Sequence, residues 1–241
     1  MLLSVLHENV GCASRLRRAP REYFMTKNYL SREEVRQMFL FMADRIIAAE
    51  PILSEADRHL GDGDHGLGMA RGFRAVKAKL ESGGSEDISK VFGVVGMATL
   101  STMGGASGAL FGTLFRAGGK ALEGRATFDS AALADFLDAA LVGIMARGGA
   151  KPGDKTMIDA LHPAALKARE VANSPLSEAA LAVAAAAESG KEATKSMRAA
   201  IGRAKALGDA SLGFQDAGAV SVTLMLEALR DYILGQAERP T

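Results

Sequence analysis

From Ser31 to Ile233, apolar residues return at three- and four-residue steps in one segment after another, and each segment is cut by glycine, proline or polar residues. That repeated interruption constrains the fold more than any other feature. Ser31-Arg32-Glu33-Glu34 is a capping-box start, and Val35, Met38, Phe39, Met42 and Ile46 share one helical face until Glu50-Pro51. Residues 50–59 read as a broken polar stretch, and a loop is expected to carry Asp57 through His65. Further helices are expected at 66–82, 86–102, 106–119, 128–147, 155–172, 177–200 and 216–234. Alanine and glycine are abundant, aromatics are 5%, tryptophan is absent and β-branched residues rarely cluster, so no convincing strand interrupts the series. Eight helices with short connections imply an all-α chain whose neighbours run mostly antiparallel, in a bundle or a ring. No Pro/Ser-rich linker and no repeated period divides it, so one domain is expected.

At 241 residues and 48% hydrophobic content the chain can fill a substantial core. Its 29 basic residues nearly balance 28 acidic ones, which excludes a global field aimed at nucleic acid or an anionic membrane. No apolar run is long enough to cross a bilayer. The single cysteine, Cys12, excludes an intramolecular disulfide and suits a reducing compartment, so a soluble, cytoplasmic protein is expected. Residues 1–28 look foreign to the rest. They carry Arg15, Arg17, Arg18 and Arg21 without the apolar stretch of a secretory signal, and are expected to form a poorly ordered extension.

The polar candidates fall in the connections. His59-Leu60-Gly61-Asp62-Gly63-Asp64-His65-Gly66 contains the spacing G-x-G-x-x-G, but a dinucleotide fingerprint needs a strand before its first glycine, and the preceding residues offer none. An EF-hand fails too, because counting from Asp57 puts Asp62 where that loop requires glycine. What remains is three carboxylates, Asp57, Asp62 and Asp64, on a glycine-flexed loop. Two readings stay open there. Either a Mg²⁺ ion neutralises the cluster and bridges it to phosphate, or Asp and Gly simply shape a solvated turn.

Met103-Gly104-Gly105-Ala106-Ser107 opens a helix, so free backbone amides and a hydroxyl converge where an anion fits, or small residues let helices pack closely. Gly148-Gly149-Ala150-Lys151-Pro152-Gly153-Asp154-Lys155-Thr156 is not a Walker loop, since Asp154 separates glycine from lysine and no strand precedes it. Asp154 is expected to cap a helix beginning at Lys155. Arg203 and the run Gly213-Phe214-Gln215-Asp216-Ala217-Gly218 flank the last helix. In an antiparallel bundle alternate loops share one end, which would bring these elements into a composite Mg-nucleotide site. His7, His59 and His162 have no metal-ligand spacing, and no nucleophile–base pair is evident.

Taken in order, GDGDHGLGM, GGASGALFGTLF, GAKPGDKTMIDAL, IGRA and GFQDAGA closely resemble the nucleotide-binding L subunit of dihydroxyacetone kinases, related to the C-terminal domain of the single-chain enzymes. The resemblance spans residues 31 to 235. It implies a closed barrel of eight antiparallel amphipathic helices with the nucleotide at one end, formed by residues 29–241. It further implies that Asp57, Asp62 and Asp64 hold two Mg²⁺ ions on the phosphates of ADP or ATP. His65, Gly66, Leu67 and Gly68 would line the nucleotide, Ala106 and Ser107 would receive phosphate, and Gly148 and Met157 would face the base side. Arg203, Asp216, Ala217 and Gly218 would complete the pocket. Three positions depart from the family pattern: Gly68 replaces a frequent asparagine, Phe214 a histidine and Ala217 a proline.

The implied activity is phosphoryl transfer to dihydroxyacetone or another short-chain ketose such as erythrulose, held on a separate K subunit, without a covalent nucleophile here. The implied donor is ATP, or a phosphoprotein of the sugar phosphotransferase system that recharges bound ADP. A homodimer or hetero-oligomer is expected. The alternative from another class is a nucleotide-sensing module that binds a transcription factor.

Overall fold

The structure is a computed structural model that describes residues 27–83 and 87–235. The extension expected at the N-terminus, with Cys12, therefore lies outside the described residues except for its last two positions. The capping box forms as read: Glu34 N–H donates to Ser31 Oγ, Ser31 N–H donates back to the Glu34 carboxylate, and α1 runs from Arg32 to Ala48. Beyond it come α2 (Glu50–Arg58), α3 (His65–Ser82), α4 (Ile88–Thr102), α5 (Gly105–Lys120), α6 (Ser130–Gly148), α7 (Ile158–Glu170), α8 (Leu176–Ala193) and α9 (Ala217–Ile233). Two stretches of 3-10 helix, Thr194–Ser196 and Arg203–Ser211, separate α8 from α9.

Four expectations need correction. Residues 50–58 are a helix, α2, whose Pro51 stands in the first turn, where a missing N–H breaks no hydrogen bond. Two short strands also form, β1 (Tyr29–Leu30) and β2 (Phe128–Asp129), paired antiparallel with Leu30 opposite Phe128. The helix expected from Lys155 starts only at Ile158, and Asp154 does not cap it; its carboxylate accepts from Lys151 N–H instead (2.9 Å). The alanine-rich helix ends at Ala193 rather than at residue 200, because the next residue is claimed from outside. Thr194 gives its carbonyl to the Lys155 ammonium, and its hydroxyl accepts from Asp216 N–H (3.0 Å).

The chain is mostly helical, and its helices pack in a circuit. Leaving α2 aside, each packs against its successor from α1 through α3 to α9, and α9 returns to α1; α2 lies against α3 and α9. Small residues let α4 and α5 pack closely. A Cβ on Gly96 would sit 3.0 Å from Gly112 O, and one on Gly112 2.7 Å from Leu100 Cβ. Inside the circuit one apolar core collects the buried faces, with Phe39 edge-on to Phe92 at 4.8 Å and Phe92 against Phe136 at 4.8 Å. Among the described residues no helix is long and apolar enough to cross a membrane.

Candidate functional site

A cleft of about 730 Å³ opens where the first turns of α3, α5, α7 and α9 meet the last turns of α2 and α6. Helix N-termini present unpaired N–H groups and a partial positive charge, so four of them around one cleft favour an anion. The N-terminus of α5 is the most open. Its cap is Gly104, at φ +77° and without a side chain to fill the amides, which leaves Ala106 and Ser107 facing the cleft.

Against this stands the acidic loop. Asp57 lies in the last turn of α2, and Asp62 and Asp64 lie between α2 and α3; one carboxylate oxygen from each falls within 4.8 Å of the others. Asp57 is half-buried and the other two are exposed. Asp57 also folds the loop around itself: its carbonyl accepts from Leu60 N–H at 3.0 Å and from Gly61 N–H, and its carboxylate accepts from His65 N–H at 3.3 Å. A Cβ at position 61 would stand 2.4 Å from Asp57 Oδ1, so a larger residue there would push that carboxylate aside. Asp62 and Asp64 compete for one proton. The hydrogen bond to Asp62, then burial and the Asp62 charge, push Asp64 up, whereas Asp62, despite some desolvation, is held low by Asp64 and by Arg203. Three hard oxygen donors under mutual repulsion suit a small divalent cation.

His65, the first residue of α3, is buried. Its Nε2 lies 2.7 Å from Ser221 Oγ, and Ser221 donates its own proton to Ala217 O at 3.0 Å. Neutral His65 therefore donates from Nε2 and leaves Nδ1 as an acceptor, 3.4 Å from Ser107 Oγ. Burial keeps its pKa below the usual histidine value, against the pull of Asp57. Gly66 lets α3 press on α2: a Cβ would lie 2.2 Å from Glu50 O and 2.3 Å from Ser54 Oγ.

Of the residues expected at the site, Asp57, Asp64, His65, Leu67, Gly68, Ala106, Ser107, Gly148, Met157, Arg203, Asp216, Ala217 and Gly218 all border the cleft. Two do not. Asp62 stands just outside and pairs with Arg203, and Gly66 is turned into the α2–α3 contact. Asp216 caps α9 by accepting from Ala219 N–H at 2.8 Å; loss of water around its carboxyl pushes its pKa to about 7, with Asp159 adding to the rise and Lys155 opposing it. Phe214 stacks on His59 with ring centroids 4.3 Å apart.

Sequence reasoning missed Arg71, Arg147 and Lys155 as cleft residues. Arg71 Nε donates to Thr102 O (2.6 Å) and its Nη2 to Met103 O (2.5 Å), fixing the turn before Gly104. Its position on α3, six residues after His65, was the only available signal.

A family model described as the DAK2 domain matches residues 59–231. The ADP-binding subunit DhaL of the PEP-dependent dihydroxyacetone kinase of Escherichia coli is 38% identical over 202 residues, 83% of this chain and 96% of that one. A D-erythrulose kinase of Mycolicibacterium smegmatis is 36% identical over 203 residues, 83% of this chain but 35% of the relative. The crystal structure of the C. freundii dihydroxyacetone kinase in complex with AMP-PNP and Mg²⁺ superposes with a TM-score of 0.66 at 25% identity, over 94% of this chain and 38% of that one. These matches define the class: a helical phosphotransferase of the kinase type. The chain belongs to the DAK2-domain family, in the group of the DhaL subunits.

Proposed function

We propose that this chain is the nucleotide-binding, phosphoryl-transferring subunit of a short-chain ketose kinase. The observation that carries the reading is the meeting of three carboxylates, with oxygens within 4.8 Å of one another, and an anion-favouring cleft built from helix N-termini. The helix circuit is then the closed barrel of eight antiparallel helices, α2 being an addition to it, and residues 29–241 make one nucleotide-binding domain.

Asp57, Asp62 and Asp64 would hold two Mg²⁺ ions, which when bound neutralise phosphate charge. The chain's own residues supply placement. The amides at the start of α5 and the Ser107 hydroxyl take phosphate oxygens, and His65 Nδ1 orients that hydroxyl. Gly66 packs α3 on α2 and so sets where His65, Leu67 and Gly68 stand. Gly148, Met157, Asp216, Ala217 and Gly218 close the far wall. Arg203 brings a positive charge to the phosphate end, and no side chain is needed as a covalent nucleophile.

The acceptor would be dihydroxyacetone or erythrulose on a separate K subunit, in a hetero-oligomer or with this chain as a homodimer. The donor is ATP or, as a PTS-dependent, ADP-binding relative from Lactococcus lactis supports, a phosphotransferase-system phosphoprotein acting on retained ADP. Mixing the chain with a K subunit, dihydroxyacetone and Mg-ATP tests this: dihydroxyacetone phosphate forms only with both proteins present. Nucleotide binding without any sugar phosphate would favour a regulatory module that contacts a transcription factor.

A further inference from the structure

Between α8 and α9 the chain makes an excursion, Lys195 to Gly213, that carries Arg203. Its two ends meet: Gly213 N–H donates to Lys195 O at 2.8 Å. Immediately outside that bond, on either side, are the carbonyls of Thr194 and Phe214. One ammonium grips both, Lys155 Nζ at 2.5 Å from Thr194 O and 2.5 Å from Phe214 O. The Phe214 ring meanwhile lies on His59, at the start of the acidic loop.

Lys155 is unusual in two further respects. It is only 2% exposed, and among the described residues it is the one non-glycine residue with positive φ, +61°. Glycine would adopt that backbone without strain, so the side chain is what the position requires. Its turn is locked around it, with Asp159 accepting from Gly153 N–H (2.5 Å) and Thr156 N–H (2.7 Å). The excursion is also fastened higher up, where Ala200 N–H donates to Asp154 O at 3.2 Å.

We infer that Lys155 is a positioning residue: by clamping both strands of the neck it fixes where the 195–213 segment stands and therefore where Arg203 reaches the cleft. The catalytic consequence rests on the kinase reading above, whereas the clamp does not. The Lys155 ammonium is spent on two backbone carbonyls, so it acts through Arg203.

The test uses the full chain carrying Lys155→Met and, because methionine in a left-handed backbone can spoil folding, Lys155→Gly, which removes the ammonium and relieves the backbone. Hydrogen exchange without ligand is read first. The Gly213 amide should exchange at least about tenfold faster in both variants; unchanged exchange in folded Lys155→Gly overturns the clamp, whatever the chain's function. In transfer assays with a K subunit, dihydroxyacetone and Mg-ATP, both variants should lose about tenfold or more in kcat while the KM for ATP stays within about twofold. In an Arg203→Ala background, Lys155→Gly should cost nothing further. Losses that multiply overturn the action through Arg203. If the unaltered chain transfers no phosphate, the kinase reading falls and takes the catalytic role with it, and hydrogen exchange still decides the clamp.

Discussion

Arg203 and Asp62, separated by 141 positions, form an ion pair that joins the segment before α9 to the acidic loop before α3. Both side chains are more than half exposed, so the pair adds little to stability and can be exchanged for other partners. A phosphate for the arginine and a cation for the aspartate are the chemical equivalents.

Asp62→Asn should therefore act on chemistry and not on folding. The residue is exposed, so helical content by circular dichroism should be nearly unchanged. Phosphoryl transfer should fall by at least about 100-fold, the scale expected when charge stabilisation of a phosphoryl group is lost. An unfolded variant would show the acidic loop to be a structural element.

Two glycine substitutions separate packing from propensity. Gly66→Ala drives a methyl group into Glu50 O and Ser54, where neither backbone can yield, and should destabilise by about 1–3 kcal/mol. Gly93→Ala, inside α4 with no atom within 4 Å of the new Cβ, should stabilise by roughly 0.5–1 kcal/mol. Urea unfolding of both variants beside the parent chain measures the difference.

The carboxyl of Asp216 gives a pH dependence of definite sign. Its pKa rises from an ordinary 3.8 to about 7 on folding, so the folded chain binds that proton more tightly than the unfolded one. Its contribution is complete below about pH 3.8 and is lost as pH rises through about 7. Asparagine keeps the cap on α9 but not the titration. Between pH 4 and 7, Asp216→Asn should therefore lose stability with rising pH less steeply than the parent, as followed by denaturant midpoints. Parallel curves would place Asp216 in contact with water.

How much was legible beforehand follows from where the signals lie. Ser31 and Glu34 announce α1 because a capping box is local, and the long helices show because each buries a periodic face. Helix α2 was invisible since it buries a single residue fully, Leu53, and its Pro51 mimics a break. The pairing of Leu30 with Phe128 spans two residues per strand, too short to carry any alternation. At the site, glycines and acids in loops stood out by composition. Arg71 and Lys155 did not, because both act on backbone carbonyls 31 or more positions away, and a carbonyl has no sequence signature.

Calorimetric titration of the full chain with ADP, in the presence of Mg²⁺ and again with EDTA, bears on the central claim most directly. Binding should be strong with magnesium, weak without it, and equally weak in both conditions for Asp57→Asn. Equal affinity with and without the metal would contradict the claim that the three carboxylates hold the nucleotide through divalent cations.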